Sequence, residues 1–228
     1  NSFVEGNYSA LLTASKDDLW GRLGGAVNLG GNLMHQTHRS LSSNSGLLVV
    51  PNLFSLNNGV TNPTVNQGFS ERKINSLYGT VQFNYDGYLF LDITGRNDWS
   101  STLSKENRSF FYPSISTSWV VTDMIEANGG NLPNWLLFGK IRASYAAVGN
   151  DLPPYQLYNF YSIGNDPLGN TIASKNNVLY NPDVRSELIK SWEVGFDARL
   201  FANRLGIDFA YYQSNATRQL IDIPLNPL

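Results

Sequence analysis

The chain has 228 residues, 42% of them hydrophobic and only 15% charged, with a formal net charge of −2. Charge this sparse lies below the roughly 25% usual for soluble proteins, and the near-neutral balance excludes an electrostatic nucleic-acid surface. Cysteine is absent, which excludes disulfides and thiolate metal sites, and no run of about 18 apolar residues marks a transmembrane helix.

Phe3 to Thr13 reads as a strand, followed by the turn-like "SKDD" at 15–18 and a second strand from Trp20 to Leu33. That strand begins with "GRLGGAVNLGG". The stretch lacks the Lys-Ser/Thr of a phosphate loop and the spacing of a dinucleotide fingerprint. Glycine inside a strand instead marks a bend or the close approach of another backbone. A loop over 34–70 follows and holds the only histidines, His35 and His38. Their context is Ser/Asn-rich and without nearby carboxylates, so no metal site is expected there.

"NSLYGTVQFNY" alternates Leu77, Val81, Phe83 and Tyr85 with Ser76, Thr80, Gln82 and Asn84. A period of two is the mark of a β-strand. The stretch meets Asp86-Gly87, a two-residue hairpin signal, and returns as "YLFLDITGRNDW". A loop over 99–109 leads to "FFYPSISTSWVV", a longer connection with one helical turn over 123–135, and "LLFGKIRASYAAVG". Within the next loop, 149–185, Asn165, Asp166 and Asn170 offer oxygen ligands to calcium or simply a turn, the EF-hand spacing being absent. Last, "SWEVGFDARLFANRLGIDFAYYQ" sets Trp192, Val194, Phe196, Ala198 and Leu200 against Glu193, Gly195, Asp197 and Arg199. It breaks at Ala202-Asn203, a two-residue hairpin turn, and resumes with Leu205, Ile207, Phe209 and Tyr211.

The connections alternate between mostly short and mostly long, which an up-and-down sheet places at opposite ends. Short turns at one end and long loops at the other mark outer-membrane barrels, and strands of about ten residues are long enough to cross a bilayer. The expectation is an all-β chain: an antiparallel up-and-down transmembrane β-barrel segment of about eight strands, part of a larger barrel. Leu89, Ile141, Val194, Phe196, Leu205, Ile207 and Phe209 then face lipid, and Asp92, Arg142, Glu193, Asp197 and Asp208 face inward. Tyr85, Tyr88, Trp192 and Tyr211 are candidates for aromatic girdles. Alternation alone fits equally a soluble carbohydrate-binding β-sandwich, with Trp192, Phe196, Ile207 and Phe209 packed in its core.

No nucleophile, base and orienter set stands out, so neither catalysis nor a cofactor is expected. Glu193 and Asp197 share a strand face about 13 Å apart, too far for a glycosidase pair. Arg96, Asn97, Asp98 and Trp99 combine a stacking ring with polar groups, as sugar sites do, and so do Asn150, Asp151 and Tyr155. Loop folding and contact with a partner protein explain these residues as well. Tyr158, Phe160 and Tyr161 are aromatics on a polar loop, a mark of a binding surface.

Three stretches, "GRNDWSSTLSKENRSFFYPSISTSWVVTD" (95–123), "KIRASYAAVGND" (140–151) and "SWEVGFDARLFANRLGIDFAYYQSNATRQLIDIPL" (191–225), together resemble SusC/RagA-type TonB-dependent outer-membrane receptors. The resemblance is strong from about residue 70 onward and weak before it. It implies a barrel of roughly 22 strands, integral to the outer membrane, around an N-terminal plug. It also implies import of glycans or peptides beneath a SusD-like surface lipoprotein lid, powered through TonB by way of an N-terminal part. Neither plug, TonB-contacting segment nor closing strand is found between Asn1 and Leu228, so the chain is expected to be a middle-to-late barrel piece. Its long loops near 34–70, 99–109 and 149–185 are expected outside the cell.

Overall fold

The computed structural model describes residues 1–175 and 178–221. Strands β1 (Ser2–Trp20), β2 (Leu23–Asn44), β3 (Thr64–Tyr85), β4 (Leu89–Ser100) and β5 (Ser109–Val120) precede a short helix, α1 (Val121–Ala127). Then come β6 (Leu136–Asn150), a small hairpin of β7 (Tyr161–Asn165) and β8 (Thr171–Lys175), and finally β9 (Glu187–Leu200) and β10 (Leu205–Thr217). One eight-stranded sheet runs β1-β2-β3-β4-β5-β6-β9-β10, every pair antiparallel. This is the expected meander.

Residues directly opposite each other in an antiparallel pair share a face, so the register can be read across the wall. One row is Leu23, Tyr85, Leu89, Trp119, Ile141, Phe196 and Phe209. Another is Ala14, Val27, Val81, Ile93, Ile115, Tyr145 and Trp192, ending on Gln213. Between them on the opposite face lies Ser15, Ala26, Gln82, Asp92, Ser116, Ser144, Glu193 and Tyr212. The expected apolar and charged sets therefore separate cleanly between the two faces.

Among the described residues no second layer covers the apolar face. Trp192, Phe196, Ile207 and Phe209 are 38%, 42%, 40% and 54% exposed, whereas a sandwich would bury them. The buried apolar cluster consists of Leu103, Leu152 and Leu157, with Phe110 and Val184 against it. It lies among the long loops rather than under the sheet. An apolar face this large, alternating with a polar one, fits the lipid-facing wall of a barrel. From Leu89 to Trp99 on that face is about 33 Å along the strand, and a tilt of roughly 40° reduces this to about 25 Å, the height of a barrel's apolar band. Aromatic residues punctuate that face: Trp192 packs on Tyr211 with centroids 5.4 Å apart across β9 and β10, and Trp99 and Phe111 lie on the adjacent strands β4 and β5.

Several boundaries differ from the sequence reading. The stretch 15–18 is strand with a bulge between Lys16 and Trp20, and the turn falls at Gly21-Arg22. Gly21 has φ +63, a conformation that glycine adopts without steric cost. The loop expected over 34–70 shrinks to 45–63, because β2 and β3 stay paired as far as Asn44 opposite Thr64. Polar residues on both faces hide this extension from any hydrophobic pattern. The turn at 86–87 is three residues, 86–88, with Asp86 at φ 51 and Gly87 at φ 74. The turn at 202–203 is four residues, 201–204, because Phe201, Ala202 and Asn203 all take positive φ. In the 123–135 connection, the helix starts at Val121.

Pairing between β5 and β6 stops at Ser114 opposite Ala146, although both strands continue. The next residue of β5 is Pro113, which has no N–H to donate to a ladder. The stacked rings of Phe110 and Tyr112, 5.9 Å apart, lie against Gly149, where a Cβ would come within 2.7 Å of the Phe110 ring.

Candidate functional site

Where the long loops gather, two hydrogen-bonded clusters stand on the polar face. In the first, Arg96 Nε lies 2.9 Å from Asp98 Oδ1 and Nη2 lies 2.9 Å from Ser76 Oγ. The Tyr112 hydroxyl donates to the other Asp98 oxygen. The Arg96 guanidinium sits 5.7 Å from the Tyr78 ring centroid, and the edge of that ring occupies the space that a Cβ on Gly30 would need. Asp98 is 6% exposed.

In the second cluster Asp151 leaves β6 and turns onto the wall. Arg72 grips it with two donors, one of them Nε at 3.0 Å from Oδ2. Ser100 and Thr102 donate their hydroxyls to Oδ2. Asp151, Ser100 and Thr102 are 6%, 1% and 4% exposed. The adjoining Leu152 and Leu157 fill the apolar cluster, and the Tyr155 hydroxyl accepts the Glu71 N–H at 3.1 Å. This latch holds residues 151–157 against the inner wall. Beyond it the β7–β8 hairpin projects, with Tyr161, Ile163 and Leu168 exposed at 67%, 78% and 86%.

Arg96, Asn97, Asp98 and Trp99 are strand residues of β4 rather than loop residues. Strand alternation puts Arg96 and Asp98 on the polar face with Tyr112 and Phe110, and Asn97 and Trp99 on the apolar face with Phe111 and Ser109. These four positions therefore do not share one site. Asp98 and Asp151 belong to neighbouring clusters, Tyr155 joins the second, and Asn150 pairs with Glu187 at the end of the β6–β9 ladder. Tyr158, Phe160 and Tyr161 are all exposed. The partners Arg72, Ser100, Thr102 and Tyr112 carried no local motif and are joined to the aspartates only by register.

His35 and His38 lie on opposite faces of β2. His35 is 2.8 Å from Glu71 Oε1. The Asp166 carboxylate closes the β7–β8 turn, accepting from the Asn170 side chain at 2.9 Å and from the Leu168 and Asn170 N–H groups. The Asn170 side chain, ahead of these backbone donors, holds the Asp166 carboxyl below its usual range. Among the described residues no group of three or more His, Asp or Glu is placed to hold a metal.

The family model described as "TonB dependent receptor-like, beta-barrel" matches residues 2–227. Among curated proteins, TonB-dependent receptor P3 of Formosa agariphila is 30% identical over 161 residues, 68% of this chain and 16% of the relative. TonB-dependent receptor P26 of the same organism is 29% identical over 175 residues, 74% of this chain and 17% of the relative. Among solved structures, the RagAB peptide transporter superposes with a TM-score of 0.84 at 20% identity, covering 98% of this chain and 25% of that one. The siderophore receptor PirA from Pseudomonas aeruginosa gives 0.55 at 14% identity, covering 94% of this chain and 32% of that one. The chain thus spans about a sixth of the curated relatives' length.

Proposed function

The chain belongs to the TonB-dependent receptor-like β-barrel family and is integral to the outer membrane, and from that premise we propose that it supplies part of the wall and outer loops of a nutrient importer. The cargo is an oligomer, glycan or peptide, taken up with a SusD-like surface lipoprotein as lid. TonB drives the import through another part of the receptor. The observation that carries this reading is the asymmetry of the sheet's ends. Three of the four connections at one end, 21–22, 86–88 and 201–204, are tight, the fourth being 121–135 with α1, and the opposite end carries loop 45–63, the latched segment 151–157 and the exposed β7–β8 hairpin.

The domain is then one partial barrel over residues 1–228, its loops 45–63, 101–108 and 151–186 outside the cell. Substrate contact falls on the inward-facing rim, at Arg96, Asn150 and Tyr155, with Asp98 and Asp151 fixing that rim from beneath. Asn97 and Trp99 drop out of the substrate set because they share the apolar face. Lid contact falls on Tyr158, Phe160 and Tyr161 at the root of the hairpin. Large apolar side chains this exposed on a polar loop favour a protein partner. The chain itself carries no catalytic step.

Deleting residues 158–175 while keeping the 151–157 latch tests the assignment. The lid lipoprotein is expected to stop co-purifying with the receptor and import to fall. Undiminished lid association with unchanged import overturns the assignment. Lost import with the lid still bound moves these residues to substrate capture.

A further inference from the structure

The β5–β6 ladder parts above Ser114 opposite Ala146. Beyond that point β5 keeps its pairing with β4 as far as Ser109, and β6 keeps its pairing with β9 as far as Asn150. Backbone groups of 109–113 and 147–150 that turn toward the split are therefore left without ladder partners. A hollow of about 480 Å³ sits in this split. Phe110 and Tyr112 line it from β5, and Arg185, Ser186 and Arg218 line it from just beyond the ends of β9 and β10. Ser186 is 5% exposed. Arg218 takes φ 59, which turns the chain leaving β10 back across the end of β9. The Leu220 N–H then donates to Glu187 Oε1 at 3.3 Å, and the Thr217 hydroxyl to the Leu188 carbonyl at 3.1 Å. Arg185 and Arg218 enter none of the ion pairs among the described residues. Glu106 is the one carboxylate lining the hollow among those residues.

We infer that this hollow is a carboxylate-binding subsite, and that the imported oligomer carries a carboxylate, on an acidic peptide residue or on a uronic-acid unit. The inference rests on the importer reading and adds a charge to its cargo. Two guanidinium groups lining one hollow repel each other, and an anion between them turns that cost into attraction. Each presents a planar donor fork that matches a carboxylate. Two guanidiniums against the single Glu106 carboxylate leave the hollow net positive. Its place suits cargo: it lies at the long-loop end, and Tyr112 joins it to the inward-facing rim by donating its hydroxyl to Asp98. Phe110 belongs as well to the apolar cluster that holds Leu152 and Leu157 of the latched segment. The freed backbone groups along the split supply donors and acceptors for the neutral part of the oligomer.

The test uses the complete receptor in phosphatidylcholine nanodiscs and two matched pairs of probes, with bound probe counted by native mass spectrometry. One pair is a glutamate-containing oligopeptide and its glutamine analogue, both amidated at the C-terminus. The other is an oligogalacturonate and its carboxyl-reduced form. The wild type is expected to retain the carboxylated member of at least one pair roughly tenfold better, the effect of a charge-assisted contact, and the responding pair names the source of the carboxylate. Arg185→Gln with Arg218→Gln is expected to abolish the preference. Arg185→Lys with Arg218→Lys is expected to keep part of it, since the charge stays and the fork is lost, and Glu106→Gln to raise it. Equal retention within both pairs, or a preference that survives in the Gln variant, overturns the subsite alone. Retention of no probe at all overturns the oligomer-cargo reading together with it. Heat-modifiable migration on gels is read in parallel. Should the Gln variant not insert, the Lys variant and Glu106→Gln decide, and a preference unchanged in both overturns the subsite.

Discussion

Arg72 and Asp151 meet 79 residues apart in the chain, with Arg72 Nε 3.0 Å from Asp151 Oδ2, and that contact ties the longest loop to the inner wall. The Asp151 side chain is 2% exposed. Its removal leaves a partly buried guanidinium and two hydroxyls without their acceptor. Asp151→Ala is expected to cost about 3 kcal/mol of local stability, in the range for breaking a buried pair from one side. Limited proteolysis of the folded receptor checks it: cleavage within 151–160 should accelerate while heat-modifiable migration stays unchanged. Equal cleavage rates in mutant and wild type would show that the latch is idle.

Gly30 lies beneath the Tyr78 ring, where a Cβ would be 2.4 Å from Cζ. Gly30→Val forces the ring and the Arg96 stacked on it to move, an overpacking cost of about 1–3 kcal/mol. Tyr78→Ala is expected to relieve most of that cost, so the double variant should be less destabilised than the sum of the singles. Urea unfolding in lipid vesicles measures all four corners of the cycle.

Neighbouring residues on β5 should respond oppositely to charge. Ile115 points to the apolar face and Ser116 to the polar one, opposite Asp92 and Ser144. Ile115→Arg is expected to destabilise the inserted barrel by about 2–4 kcal/mol, and Ser116→Arg by far less. Comparable losses at both positions would contradict the assignment of the faces.

The β7–β8 turn should loosen in acid. Asp166 has its folded pKa lowered, first by the Asn170 side chain and then by backbone donors. The sign follows from linkage. The carboxylate's contribution is fully present above the unfolded carboxyl pKa and is lost as pH falls through the lower folded one. Backbone amide signals of Leu168 and Asn170 should therefore hold steady through the usual aspartate range and shift only below it. Asp166→Asn should make them insensitive to pH. A midpoint at or above the ordinary aspartate value would remove Asp166 as the closing group.

The strands were legible in the sequence because a wall between lipid and water imposes a strict period of two. Trp192 to Leu200 and Leu205 to Tyr211 announce their faces residue by residue. Strand ends were less legible. The polar tops of β2 and β3 extend beyond the band, where both faces are wet and no hydrophobic contrast marks them. Turn lengths were misread at 86–88 and 201–204, since positive φ at non-glycine residues such as Phe201 and Ala202 has no strong composition signal.

The candidate site was legible only in part. Asp98, Asp151 and Arg96 could be picked out as polar groups, and their partners could not. A hydrogen bond between Arg72 and Asp151, or between Tyr112 and Asp98, depends on register and loop closure rather than on neighbouring letters. The sequence by itself determined the class of the sheet and its two faces, because those follow from local alternation, whereas the exclusion of a soluble sandwich came from the uncovered apolar face of the folded sheet. The tertiary structure alone decided that Asn97 and Trp99 share the apolar face with Phe111, and that the Tyr155 hydroxyl meets the Glu71 N–H across 84 residues. Those relationships come from strand pairing and loop folding across long stretches of chain, where contact is set by geometry.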